Sequence, residues 1–249
     1  MARKNLSWFE FKEMRSDLLG VRLMDTHLFS LGGARGSQES VSGRSGYIWN
    51  GDGALEGFEI ERICRSPASR LREISAWLCG SGGLRFSQEQ GMMYDARVIQ
   101  AVSYRQAVPG RDPLYEFRVT FTCQPFAHMW PEPLPMTFTS PSGRLLNQGT
   151  APALPRVEIV GSGDFSVGIG KQVVYFSGVE GGIIVDSELG DALTLDGAAV
   201  ANERMDGELF EIQPGDNAVY WQEGGISNDG TEASGRVEKV IITPRWRYI

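Results

Sequence analysis

For 249 residues the chain carries little cysteine, histidine or lysine: three, two and four residues respectively. Cys64, Cys79 and Cys123 lie far apart with no Cys-x-x-Cys pair. An odd count rules out a complete disulfide framework, so synthesis in a reducing compartment is expected. His27 and His128 have no partner at zinc-ligand spacing, and no metal or other cofactor is expected. No basic run exists to neutralise phosphates, which disfavours nucleic acid as a partner. No stretch of about 18 apolar residues occurs, which excludes a spanning helix. The start Met1-Ala2-Arg3-Lys4 has the look of an export signal, but Glu10, Lys12 and Glu13 break any apolar segment behind it. Nucleophile-elbow, Walker and zinc-protease motifs are all missing, and an enzyme is not expected.

What is present is a well-mixed composition, 41% hydrophobic, 22% charged and 10% aromatic, enough to build one or two cores. Charge is unevenly placed. The net charge is -7, yet residues 1–130 hold 16 basic and 14 acidic side chains against 8 and 17 in the remainder. Twenty of the 24 cations are arginine, suited to planar bidentate contacts between packed surfaces. Seven of the 12 prolines fall between Pro125 and Pro155, a density that denies continuous helix or central strand. Both signals place a domain boundary near residues 130–145, giving domains of 1–135 and 136–249.

The fold is expected to be mainly β. Tyr94, Ala96 and Val98, then Tyr115, Phe117, Val119, Phe121 and Cys123, alternate at period two and predict strands joined by the turn at Pro109–Pro113. One helix is predicted, capped by Ser66, with Pro67 in its first turn, Leu71, Ile74 and Leu78 on one face, and Gly80 as its stop. Beyond the prolines come short alternating segments: Val157-Ile159, Phe165-Ile169, Val173-Tyr175, Ile183-Val185, Leu193-Leu195, Phe210-Ile212, Val219-Trp221 and Val240-Ile242. Their spacing of roughly 8 to 12 residues, with turn residues between, predicts a β-sandwich or jelly roll.

Chemistry is scarce. Asp186 and Glu188 are spaced to share a strand face, the arrangement a glycosidase would need, but no aromatic platform adjoins them in sequence. Gly161-Ser162-Gly163 and Gly168-Ile169-Gly170 lack the strand-to-helix setting of a phosphate loop and read as turns. Tyr220, Trp221 and Trp246 have ring faces able to stack on sugars, with half-buried core packing as the competing reading. The chain ends on a strand that runs into Pro244-Arg245-Trp246-Arg247. This is either a last strand tied down by packing or a clamp in which Arg245 and Arg247 hold carboxylates of the other domain or of another subunit.

Several short segments occur in a shared order: Gly43-Arg44-Ser45-Gly46, Trp77-Leu78-Cys79-Gly80, Leu84-Arg85-Phe86, Tyr94 to Val98, Cys123-Gln124-Pro125-Phe126, Asn147-Gln148-Gly149-Thr150, Ile184 to Ser187, Ile212 to Asn217, and Pro244 to Arg247. In that order the sequence resembles the distal tail protein (Dit) family of long non-contractile-tailed phages. The resemblance implies an N-terminal split β-barrel with one α-helix and a C-terminal galectin-like β-sandwich. It implies a homo-hexameric ring at the virion tail tip, made in the host cytoplasm. The ring would join the tail tube protein to the tail-tip protein or baseplate and, in some members, to a receptor-binding protein. The interface candidates are then Gly43, Arg44 and Gly46, with Arg245, Trp246 and Arg247 at the other end. The rival reading is a carbohydrate-binding module for host-surface glycans, and an acid-pair glycosidase stands third.

Overall fold

The computed structural model describes residues 7–25, 32–226 and 232–249. The described residues are mainly β with one α-helix, and the chain divides into two compact units, Met1–Trp130 and Pro131–Tyr248.

The first unit contains β1 (Phe9–Phe11), β2 (Met14–Arg15), β3 (Arg22–Leu23), β4 (Ala34–Glu39), β5 (Ile48–Leu55), β6 (Phe58–Pro67), α1 (Leu71–Trp77), β7 (Gly80–Phe86), β8 (Met92–Val98), β9 (Tyr104–Val108) and β10 (Leu114–Met129). The main sheet is ordered β2-β1-β7-β8-β10-β6-β3, and β9 also pairs with β10. The two end strands follow one another in the chain, joined by a 3-10 turn at Ser16–Leu19 in which Val21 N–H donates to Ser16 C=O at 2.9 Å. The sheet therefore curls until its edges meet across a single turn, a barrel split along one seam. Its spine is the pairing of β6 with β10, from Leu114 opposite Pro67 to Cys123 opposite Phe58. The predicted alternation appears there, with Phe117, Val119, Phe121 and Cys123 buried on the same face as Ile60 and Cys64. Pro125 lies inside β10. It is tolerated because the register slips between Cys123 and Ala127, where a bulge removes the need for a ladder hydrogen bond.

The helix differs from its prediction. Ser66 and Pro67 finish β6, and α1 begins only at Leu71, after a 3-10 turn at Ala68–Arg70 and with no side-chain cap. Ladder pairing of Ser66 with Tyr115 outcompetes the local capping option. A seven-residue helix is too short to be stable alone, and packing holds it. Ile74 and Leu78 are buried, the Trp77 indole N–H donates to Phe11 C=O at 2.7 Å, and the Trp77 ring stacks on Phe9 at 5.3 Å. In return, the Lys12 ammonium donates to Cys79 C=O just past the helix.

The second unit contains β11 (Met136–Phe138), β12 (Ser142–Asn147), β13 (Arg156–Ile169), β14 (Gln172–Val179), β15 (Gly182–Asp186), β16 (Asp191–Thr194), β17 (Met205–Asp206), β18 (Gly215–Glu223), β19 (Gly225–Ile226), β20 (Glu232–Ala233) and β21 (Gly235–Thr243). Fourteen-residue β13 organises it. Its first half pairs with β21 and β15, its second half with β18 and β14. One strand thus feeds both layers of a β-sandwich, whose core includes Val157, Ile159, Phe165, Val167, Ile169, Val219, Trp221, Val240 and Ile242.

Three sequence readings fail here. The strand expected at Val173-Tyr175 is present in β14, but its buried side chains are Val174, Phe176 and Val179, so Val173 and Tyr175 point the other way, a slip of one residue in which two adjacent apolar runs misled the alternation. Phe210 and Ile212 are buried, but they form no strand, and of the two only Ile212 pairs, in an isolated bridge to Ala153. Gly161 and Gly168 lie within β13; of the six glycine-rich positions only Gly170, with φ +61, sits in the turn before β14.

Candidate functional site

Two regions hold the interface candidates, one in each unit. In the first unit β4 and β5 form a two-stranded ribbon of their own, paired from Glu39 opposite Ile48 down to Ala34 opposite Leu55. Every β4 residue and all of β5 except Ala54 and Leu55 is exposed. Gly43, Arg44 and Gly46 occupy its tip, where φ values of +80 and +87 at the two glycines turn the chain through the left-handed region. Sequence reasoning found the tip but missed the apolar cluster beside it: Val41, Tyr47, Ile48 and Trp49 are all exposed, Tyr47 at 61% and Trp49 at 48%.

The ribbon is built to hold Trp49. A Cβ at Gly36 would fall 2.7 Å from the indole ring and one at Gly51 2.5 Å from its N–H, so the ring lies across the two glycines and any larger residue would displace it. At the base, Arg35 forms an ion pair with Asp52, whose carboxylate also accepts the Ala54 N–H at 3.0 Å. The signal was available in the sequence as glycines on both strands facing one tryptophan, but pairing them requires the register.

The second region is the C-terminal segment. Arg245 donates to both Asp186 oxygens, at 2.6 and 3.0 Å, and lies 3.1 Å from Glu188. Burial pushes the Asp186 carboxyl up, but hydrogen bonds from Arg245 and from the Leu189 and Glu188 amides outweigh it and hold the group below the ordinary carboxylate value. Arg245 has φ +50, an uncommon conformation for a residue with a Cβ, and the bidentate clamp holds it there. Trp246 is 2% exposed. Arg247 donates from Nε to Pro152 C=O at 2.6 Å, and its own carbonyl accepts the Thr150 and Ala151 amides at 3.1 Å. Burial lowers its pKa.

The clamp thus acts within the second unit. Of the acid pair, Asp186 ends β15 while Glu188 lies in the following turn, and both are held by the one arginine. Trp221 and Trp246 are core aromatics, whereas Tyr220 is only half-buried.

The remaining reactive groups have structural surroundings. His128 Nε2 lies 3.2 Å from the Asp95 carboxylate, and that hydrogen bond lowers the Asp95 pKa. His27 and the first four residues fall outside the described residues. All three cysteines are free, and burial pushes the Cys123 thiol up to about 12. Among the described residues no cluster of three or more His, Cys, Asp or Glu could hold a metal, and no helix is long and apolar enough to cross a membrane.

No family model matches the sequence, and no curated protein matches it. Among solved structures, the chain is similar to the SPP1 Dit protein (gp 19.1), described as a paradigm of the hub adsorption apparatus in phages that infect Gram-positive hosts. The TM-score is 0.70 at 13% identity, covering 98% of this chain and 100% of that one. The phage p2 baseplate in its activated conformation aligns at a TM-score of 0.43 and 11% identity, over 96% of this chain and 98% of that chain. The resemblance carried by short sequence segments is met by architecture: over nearly its whole length the chain has the fold of the SPP1 distal tail protein.

Proposed function

We propose that the chain is a structural hub of a phage tail tip, a homo-hexameric ring that joins the tail tube protein to the tail-tip or baseplate proteins and anchors receptor-binding components. On this reading it catalyses nothing and works in the virion. The supporting observation is the end-to-end correspondence with a hub protein, which takes in both units and leaves neither chain with a long unmatched part. Residues 1–135 would form the ring and residues 136–249 would be carried by it.

The exposed ribbon gives this reading a physical basis. A two-stranded ribbon is marginal in water, and this one, which pairs with no third strand among the described residues, presents a tryptophan, a tyrosine, an isoleucine and a valine near its tip. A ring needs a heterologous contact, in which one surface of each copy meets a different surface of the next. A ribbon reaching about 26 Å along eight residues of β5 is a suitable first half of such a contact. The test is negative-stain imaging and mass photometry of the purified full-length chain. Closed sixfold rings are expected at micromolar concentration. A particle that stays monomeric at every concentration, even when cross-linker is added, would overturn the ring.

A further inference from the structure

The ribbon is one half of a contact, and the main sheet of the first unit offers a second half of complementary character. Cross-strand partners share a face, so Arg22, Arg65, Glu116 and Arg105 form one row across β3, β6, β10 and β9, three cations to one acid. Arg65 spends its charge on Glu116, donating to the carboxylate at 2.9 and 2.8 Å. Arg118 pairs with Glu61 at 2.9 Å. Arg105 is exposed and has no ion pair among the described residues.

Arg105 borders a break in the sheet. β10 pairs with β9 only as far as Phe117 and with β8 only from Thr122, so residues 118–121 have a strand neighbour on the β6 side alone. Backbone groups of that stretch that point away from β6 have no ladder partner. A recess of about 410 Å³ occupies the break, lined by Arg105, Arg118, Glu61 and Glu116 together with the hydroxyl-bearing Ser103 and Thr120. Both acids in it are already paired, which leaves the recess one uncommitted cation. Exposed apolar side chains flank it: Ile99, 70% exposed, directly before the lining residue Gln100, and Val108, farther along β9 from Arg105.

We infer that this recess is the socket for the ribbon of a second copy, with the Glu39 carboxylate entering against Arg105 and with Ile48 meeting Ile99 and Val108. The inference rests on the ring reading and names the acceptor surface that reading leaves open. The patterns match. In the ribbon strands Arg35 and Asp52 pair with each other, which leaves Glu39 as the acid without a partner, and Ile48 lies directly opposite it. An acid beside exposed apolar groups thus meets a cation beside exposed apolar groups, an arrangement that fixes register and disfavours wrong partners. Reach agrees as well. Glu39 and Ile48 lie at the far end of the ribbon, about 26 Å from its base. A compact unit the size of Met1–Trp130 is about 36 Å across, so an arm of that length reaches well onto an adjoining copy. The two surfaces differ, so the contact is heterologous and repeats around a closed ring.

The experiment follows full-length chains by mass photometry and negative-stain imaging. Glu39→Arg and Arg105→Glu should each raise the concentration needed for half-assembly by about tenfold or more, and Glu39→Gln and Arg105→Gln by less. Both side chains are exposed, so all four melting temperatures should match wild type. An equimolar mixture of Glu39→Arg and Arg105→Glu should form rings again, because in an alternating sixfold ring every ribbon meets a recess of opposite charge. A chain carrying both reversals should form them by itself. Assembly unchanged by either reversal, or lost in folded reversals and rescued neither by mixing nor by combination, would overturn the inference and leave the ring standing. A wild type that forms no rings would overturn the ring reading, and this contact with it.

Discussion

The ribbon of β4 and β5 and the segment Pro244–Arg247 both stand out in the sequence as places where this chain would touch something, yet the structure treats them in opposite ways. At the C-terminus the aromatic is buried and the neighbouring arginines are spent on partners in the same unit, Asp186 and Glu188 for Arg245 and Pro152 C=O for Arg247. In the ribbon the aromatic is half exposed over glycines, and the ion pair of Arg35 with Asp52 is local to the two strands. A tryptophan beside arginine is therefore ambiguous in sequence. Whether the fold has already satisfied both groups decides between stability and association.

Replacing Trp246 should have the largest effect. A nearly fully buried tryptophan cut to alanine loses about 3 to 5 kcal/mol, so chemical denaturation of Trp246→Ala should show a large drop in midpoint with cooperativity retained. Next comes the clamp. Removing one partner of a largely buried ion pair is costly, and because Arg245 is partly solvated, Arg245→Ala should lose about 2 to 3 kcal/mol. Its pH dependence has a definite sign. The folded Asp186 pKa is depressed, so the contribution is fully present above the unfolded carboxyl value of about 3.9 and fades as the pH falls through the lower folded value. The stability gap between wild type and Asp186→Asn should be flat from pH 5 to 8 and close below about pH 4. A gap that widened on acidification would show that the clamp is not the origin of the effect.

Trp49 should behave in the reverse way. Trp49→Ala removes a side chain that the monomer does not bury, so the melting temperature should stay close to wild type while the ring population in mass photometry collapses. If Trp49→Ala melts as low as Trp246→Ala, the ribbon belongs to the fold, and the contrast drawn between the two regions disappears.

How much of this was legible beforehand follows from what a linear pattern can encode. The strands β8, β10, β18 and β21 were readable because one face meets a core and the other meets water, which leaves a clean period of two. The direction of β14 was not, because Val173, Val174, Tyr175 and Phe176 are all apolar and either phase fits. The end of β6 was mistaken for a helix start because Ser66-Pro67 has the right local chemistry for a cap, and only the distant partner Tyr115 shows otherwise. At the sites, Arg245 and Asp186 were each noticed alone. Their meeting depends on a contact 59 residues apart that no spacing rule supplies.

The smallest expected effect lies inside the ribbon and separates its shape from its charge. Asp52 does two things: its carboxylate pairs with Arg35, and it accepts the Ala54 N–H, which sets the irregular step in the ribbon where Gly53 has φ +80. Both partners of the ion pair are exposed, so salt screens it and its contribution to stability should be undetectable. Asp52→Asn keeps an oxygen able to accept the Ala54 amide and loses only the charge. It should leave melting, ring population and salt response unchanged. Asp52→Ala removes the acceptor as well, and hydrogen exchange at Ala54 should speed up in that variant alone, with a modest loss of rings if the step aims Trp49 at its partner. Equal exchange in both variants would mean that the ion pair, not the turn, shapes the ribbon.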